Sequence, residues 1–335
     1  MKILEKKDSI IKENTLMLAP LAGYSDLPFR SVVKKFGVDI TVSEMISSHA
    51  LVYANKKTQK MIEKSPLENP FSVQIAGSKM DVLKKAVEIL NQESGIDILD
   101  LNCGCPAPKV ANHGNGSGLL KDLNLLVEAA NLIKENTNKP YTSLKLRLGF
   151  DKKIPLEIAQ AINDTNVDFV VIHGRTRSDG YKKDRIDYES IAKICENIKI
   201  PLIANGEITD FKTAQKVLNI TGAKGVMIGR AALTSPWIFW QIKNKSEEIP
   251  PIVKKELVLE HFDKMVEFYG ERGVVMFRKN LHAYSKGHAG ASEFRVVVNN
   301  LSDSKITRAE IKKFFDESTI QMEIPQIIHL NNKTS

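Results

Sequence analysis

Short apolar runs alternate with amphipathic segments along the first two thirds of the chain. Runs at 16–19, 40–44, 72–75, 98–102, 142–147, 169–173, 202–205 and 225–229 have the length and side-chain character of strands. Most are continuously apolar, as parallel strands covered on both faces are. Between them, 80–91 places Val82, Ala86, Ile89 and Leu90 on one helical face, and 123–135 and 155–163 repeat that spacing. Eight strand–helix alternations over roughly 250 residues predict an α/β fold, a (β/α)8 TIM barrel, with a doubly wound open sheet as the alternative.

After Trp240 the alternation stops. Glu247-Glu248-Ile249-Pro250-Pro251 reads as a linker. Segments 256–269, 274–285 and 292–301 have helical periodicity. Thr307-Arg308-Ala309-Glu310 reads as a capping box opening a fourth helix through Phe315. The chain is expected to divide into a barrel over 1–245 and a small helical bundle over 250–335.

The 335 residues, 42% hydrophobic and 26% charged, suffice for a substantial core. No apolar stretch approaches the ~20 residues of a membrane span, and residues 1–8 lack an apolar signal core. Three cysteines, two of them one residue apart, do not suggest a disulfide framework, so a cytoplasmic setting is expected. That spacing, without further ligands nearby, also argues against zinc, and no metal is expected. Cys195, within the helical stretch 188–197, reads as a core residue.

Net charge is +8, and the excess lies within the first 245 residues. Segment 278–313 nevertheless holds eight basic side chains, among them Arg278, Lys279 and Arg295, against three acidic ones. A polyanionic partner fits this balance, and so does a solvated helix face.

In a barrel of this kind, chemistry collects at the C-terminal ends of the strands. Those ends carry Glu44, Gln74, Asn102, Lys145, His173, Asn205 and Gly229-Arg230. Asn205-Gly206-Glu207 and Gly229-Arg230 follow the last two strands, where glycine backbone and an arginine fork suit a phosphate. If Leu144 and Leu146 face the helices, Lys145 and Arg147 face the interior or its mouth. Lys145 there can form a Schiff base, stabilise a reduced flavin, or pair with Glu44 or Asp100. His173-Gly174-Arg175-Thr176-Arg177 suits an anionic or nucleobase ligand. Asp100-Leu101-Asn102-Cys103-Gly104-Cys105-Pro106 places a thiol just past a strand end, in a turn forced by Gly104 and Pro106.

These motifs, taken in order, resemble the tRNA-dihydrouridine synthases, closest to the bacterial B-type. The resemblance rests on Ala19-Pro20-Leu21-Ala22-Gly23, Val42-Ser43-Glu44-Met45, Val73-Gln74-Ile75-Ala76-Gly77-Ser78 and Asn102-Cys103-Gly104-Cys105-Pro106. It continues through Leu144-Lys145-Leu146-Arg147, His173-Gly174-Arg175-Thr176-Arg177, Ala204-Asn205-Gly206-Glu207 and Ile228-Gly229-Arg230-Ala231-Ala232. It implies an FMN-binding catalytic barrel with a helical tRNA-binding domain, using NADPH to reduce particular uridines in tRNA; a monomer is expected. By the same resemblance Cys105 is the proton donor. Pro20, Leu21, Ala22, Gln74, Lys145, His173, Asn205, Gly206, Glu207, Gly229 and Arg230 form the FMN site. Asn102, Arg175, Arg177, Arg278, Lys279 and Arg295 are the candidate tRNA contacts. Leu21, Cys103 and Glu207 depart from the residues usual at their positions, and loops 111–115 and 178–182 are atypical. The competing readings are a flavin barrel acting on a free pyrimidine and a non-catalytic RNA-binding protein.

Overall fold

A computed structural model describes residues 9–53, 56–249 and 251–316. Pro250 and residues 317–335, expected in the linker and helical domain, lie outside the described residues. The strands are β1 (Thr15–Leu18), β2 (Thr41–Val42), β3 (Ile46–Ser47), β4 (Phe71–Ala76), β5 (Ile98–Cys103), β6 (Tyr141–Arg147), β7 (Phe169–His173), β8 (Leu202–Asn205) and β9 (Gly225–Ile228). They run in the order β1-β9-β8-β7-β6-β5-β4-β2, all parallel. A parallel bridge between Met17 and Ile40 closes the ring. The TIM barrel, not the open sheet, is the fold.

The second stave is not the continuous strand expected over 40–44. It is split into β2 and β3, and both pair with β4. Val42 pairs with Ser72 and Ile46 with Ile75, so the second stave holds one residue more than β4 over the same span. That extra residue bulges the wall. Ser43 Oγ accepts from the Gln74 amide at 3.0 Å across the break, and Glu44 accepts from Gly23 N–H.

Strand alternation sorts the side chains. Leu99, Leu101, Cys103, Leu144 and Leu146 are fully buried. A separate cluster holds Met17, Ile40, Val42, Ile98, Phe169, Val171, Ile203 and Met227, one side of each strand, with Tyr141 packed against it. Continuing that inward parity puts Asp100, Asn102, Ser143, Lys145 and Arg147 inside the barrel. Helices Leu123–Asn136, Tyr188–Asn197 and Phe211–Thr221 start on Asp122, Asp187 and Asp210, each accepting from a first-turn amide.

By compactness the chain divides at Gly229–Arg230, ahead of the expected linker at 247–251. Helix Arg230–Thr234 packs on Arg272–Tyr284, which places it with the later helices. The second unit also holds Ile238–Asn244, Pro251–Tyr269, Ala291–Asn299 and a helix at 304–316. That last helix starts before the Thr307 capping box expected from sequence. Asp303 caps it, accepting from Ile306 N–H at 2.8 Å, and Thr307 Oγ1 donates back to the Asp303 carbonyl. Its Phe314 stacks on Phe294 at 4.0 Å.

In the barrel unit, Arg30 and Glu68 form a fully buried ion pair at 2.7 Å. Thr41 Oγ1 and Ser65 N–H also donate to Glu68, and Arg30 donates to the Ser25 carbonyl. The pair joins helix Leu27–Lys34, the start of β2 and the segment entering β4. Glu68→Ala strands a buried guanidinium and should cost about 3–5 kcal/mol, read from denaturant unfolding. A loss below about 1 kcal/mol, the scale of exposed pairs, would show the network to be dispensable.

Candidate active site

The C-terminal mouth of the barrel gathers the polar strand-end residues. On β5, Asp100 and Asn102 point inward, and both are buried. Gln74, on β4, is fully buried and bridges them: its Nε2 donates to Asp100 at 2.7 Å, and its Oε1 accepts from Asn102 Nδ2 at 2.7 Å. Ser143 Oγ donates to the other Asp100 oxygen at 2.5 Å. Asn102 Oδ1 accepts from Gly104 and Cys105 N–H at 3.1 and 2.9 Å. The Cys105 carbonyl in turn accepts from Ser117 N–H and Oγ at 3.2 and 2.8 Å. Cys105 is thus held at both ends of its backbone, with a partly exposed side chain. Cys103 is fully buried on the opposite face, and burial pushes its thiol pKa well up, with the Asp100 charge adding to the effect.

Lys145 reaches the mouth from β6 and donates to Asn205 Oδ1 at 3.1 Å; Asn205 Nδ2 is fixed by the Met227 carbonyl. Its partner is therefore an amide, not Glu44. Burial, and then the charge of Arg147, lower the Lys145 pKa to about 8, with Asp100 and Cys105 opposing. Asp100 moves the other way: burial raises it to about 6 against the donors Ser143 and Gln74 and the charge of Lys145.

Two arginines organise the loops. Arg147 Nε donates to the Gly104 carbonyl at 2.7 Å, and Nη1 to the Thr176 and Gly180 carbonyls. It stitches the Cys105 turn to the loop after β7 and lies 5.3 Å from the ring centre of the exposed Tyr181. Arg175, expected to touch substrate, is completely buried and engaged. It donates to the Lys182 carbonyl, to Glu207 at 2.7 Å and to His173 Nε2 at 3.1 Å. An arginine cannot accept a hydrogen bond, so this contact sets His173 in the tautomer with its hydrogen on Nδ1. Its charge is neutralised inside the protein, and it orients its neighbours. Glu207, at φ 49°, spends its carboxylate on Arg175.

Pro20 and Leu21 are half-buried and Ala22 exposed beyond β1. Gly206 and Gly229 follow β8 and β9, and Arg230 is exposed at the start of the second unit. Arg177 lies 5.1 Å from the Phe150 ring centre. In the helical unit Arg278, Lys279 and Arg295 are half-buried; Arg278 donates to the Leu301 carbonyl and Arg295 to Ser285 Oγ. Two positioning residues lay outside the sequence reading of the site, Ser143 and Ser117, and Arg147 was placed at the mouth without a role. For Ser143 the signal was present as every-second-residue parity with Lys145 along β6. Ser117 carries no such signal, because it meets Cys105 through a turn.

Fold and site together define a (β/α)8 barrel with a clamped thiol and a lysine at the C-terminal mouth. Residues 17–319 match the sequence model of the family described as dihydrouridine synthase (Dus). The chain belongs to the dihydrouridine synthase family. It is 65% identical over 319 residues to a probable tRNA-dihydrouridine synthase of Helicobacter pylori strain J99, covering 95% of this chain and 97% of that protein. It is 37% identical over 321 residues to tRNA-dihydrouridine synthase B of Pseudomonas putida, covering 92% and 94%. Among solved structures, an old yellow enzyme homologue from Zymomonas mobilis shares the fold at TM-score 0.52 and 12% identity, covering 72% of this chain and 94% of that one. Histamine dehydrogenase from Rhizobium sp. 4-9 does so at TM-score 0.55 and 12% identity, covering 78% and 51%.

The raised Asp100 pKa carries a sign. A carboxyl that titrates at 3.8 when unfolded and about 6 when folded binds its proton more tightly in the folded state. Its effect is destabilising, and it sets in as pH rises through that window. Wild-type protein should therefore lose stability relative to Asp100→Asn between pH 3.8 and about 6, with the difference level above. Parallel pH–stability curves for the two proteins would remove the assignment.

Proposed function

We propose that this chain is an FMN- and NADPH-dependent tRNA-dihydrouridine synthase that reduces the C5=C6 bond of particular uridines in tRNA. The observation that carries the reading is the partly exposed Cys105, clamped beside a lysine at the mouth of a barrel of this family.

The residues present fit the cofactor. Gly229 makes the case: an added Cβ there meets Ala19 and Leu21 only at ordinary distances of 3.6 and 3.7 Å. Protein packing does not demand glycine at this position, whereas a closely approaching phosphate does. Gly206, Gly229 and Arg230 would hold the phosphate end. Lys145, His173, Asn205, Gln74 and the segment Pro20, Leu21 and Ala22 would hold the ring. Glu207 contributes backbone, since its carboxylate is paired with Arg175.

Bound FMN, once reduced by NADPH, would supply hydride, and the acceptor in uracil would be C6, which is conjugated to the C4 carbonyl. Cys105 gives the proton to C5, its thiol S–H acting as the general acid. Lys145 would place positive charge beside a bound ring. Asn102 and Arg177 face the uridine or its neighbours, and the uridine must leave its stack to reach them. The helical unit, through Arg278, Lys279 and Arg295, grips tRNA phosphates. The setting is the cytoplasm, consistent with three free cysteines, and no helix among the described residues is long and apolar enough to cross a membrane.

Cys105→Ala should keep FMN, tRNA binding and flavin reduction by NADPH. In single-turnover reoxidation by unmodified tRNA it should lose roughly 10²–10⁴-fold, as removal of a general acid does. Cys103→Ala, outward and buried, should be nearly silent in the same assay. A slow Cys103→Ala beside a fast Cys105→Ala reverses the assignment. Separately, Arg230→Ala should lose flavin on desalting, because a charge-assisted bond to phosphate contributes roughly 1.5–3 kcal/mol. Unchanged FMN affinity would take Arg230 out of the phosphate site.

A further inference from the structure

Hydrogen-bond polarity runs in one sense from the Cys105 turn into the barrel. The Gly104 and Cys105 amides can only donate, so Asn102 must turn Oδ1 toward them. Its Nδ2 is then committed to Gln74 Oε1, and Gln74 Nε2 to Asp100. Ser143 closes the far end by donating to the remaining Asp100 oxygen. Gln74, Asp100, Asn102 and Ser143 are each at most 6% exposed, so water cannot readily substitute for a missing member. Without an acceptor at position 100, Gln74 Nε2 is left buried and unpaired. Rotating the Gln74 amide to relieve that would turn donor against donor at Asn102. The conflict would pass to the bond that holds the Cys105 amide.

We propose that Asp100 is a positioning residue for Cys105, acting through Gln74 and Asn102 to fix the turn that carries the thiol. The proposal rests on Cys105 being the proton donor. What position 100 must supply is an acceptor for Gln74, not a negative charge. An asparagine can supply it: its Oδ1 accepts from Gln74 while its Nδ2 donates to Ser143 Oγ, whose hydroxyl turns away.

The test compares Asp100→Leu and Asp100→Asn with wild type, and Cys105→Ala as reference. Amide exchange at Gly104 and Cys105 is read on flavin-free protein, and both half-reactions on holoenzyme. Asp100→Leu should speed exchange at those two amides by about tenfold or more, since it frees a local opening. It should slow reoxidation by tRNA roughly 10–10²-fold, the scale of a misplaced reacting group, while flavin reduction by NADPH stays near wild type. Asp100→Asn should restore native exchange and most of the reoxidation rate. Should Asp100→Leu fail to fold, Asp100→Val makes the same break with less volume.

Native exchange in the leucine variant overturns the relay, and so does an asparagine variant as impaired as leucine. Equal loss in both half-reactions reduces Asp100 to a packing role and overturns the proposal as well. A Cys105→Ala protein that reoxidises at the wild-type rate refutes the donor assignment itself, and the proposal falls with it. The exchange data then show separately whether the clamp exists.

Discussion

The inside of a closed parallel barrel is cut off from water, so each polar side chain that points inward must find its partner within the protein. Asp100 meets that demand with Ser143 from β6 and Gln74 from β4. In doing so it ties three adjacent staves together just below the mouth. The order of the site above follows from that tie. Gln74 has one orientation available, Asn102 has one, and the backbone amides of Gly104 and Cys105 are received by the remaining oxygen. Lys145, from the same face of β6, is held at the same rim by Asn205. A lysine whose pKa has fallen to about 8 answers readily to a nearby negative charge.

The arginines show how differently the same residue type can serve. Neither Arg147 nor Arg175 spends its fork on solvent: between them they bind the carbonyls of Gly104, Thr176, Gly180 and Lys182. Loops that would otherwise move independently are drawn to the barrel rim by donors that rise from its strand ends. Arg175 also decides which nitrogen of His173 accepts. A buried arginine beside a histidine is thus a statement about proton placement, and its formal charge is matched by Glu207.

Much of this was legible in the sequence because strand alternation is a local rule. Leu144 and Leu146 against Lys145 and Arg147, or Cys103 against Asn102, follow once the strand is located. What was not legible depends on a second segment. The break in the second stave exists because Val42 to Ile46 spans one residue more than Ser72 to Ile75, which neither segment reveals alone. The ion pair of Arg175 was hidden for the same reason, because its partner, Glu207, lies beyond a different strand. The last helix was misplaced for a smaller reason, since Asp303 and Thr307 both carry capping chemistry and only the backbone decides between them.

β5 pairs with β6 over six consecutive positions, Ile98 with Tyr141 through Cys103 with Leu146. Because faces alternate, one inserted or deleted residue in this stretch would rotate everything beyond it by half a turn. Asn102 would leave the pocket, a second thiol would enter it, and Asp100 would move among leucines. The distance from the start of β5 to Cys105 is therefore a fixed ruler. A change of chain length in the loops that follow, such as 111–115 and 178–182, leaves the count of residues from β5 to Cys105 untouched.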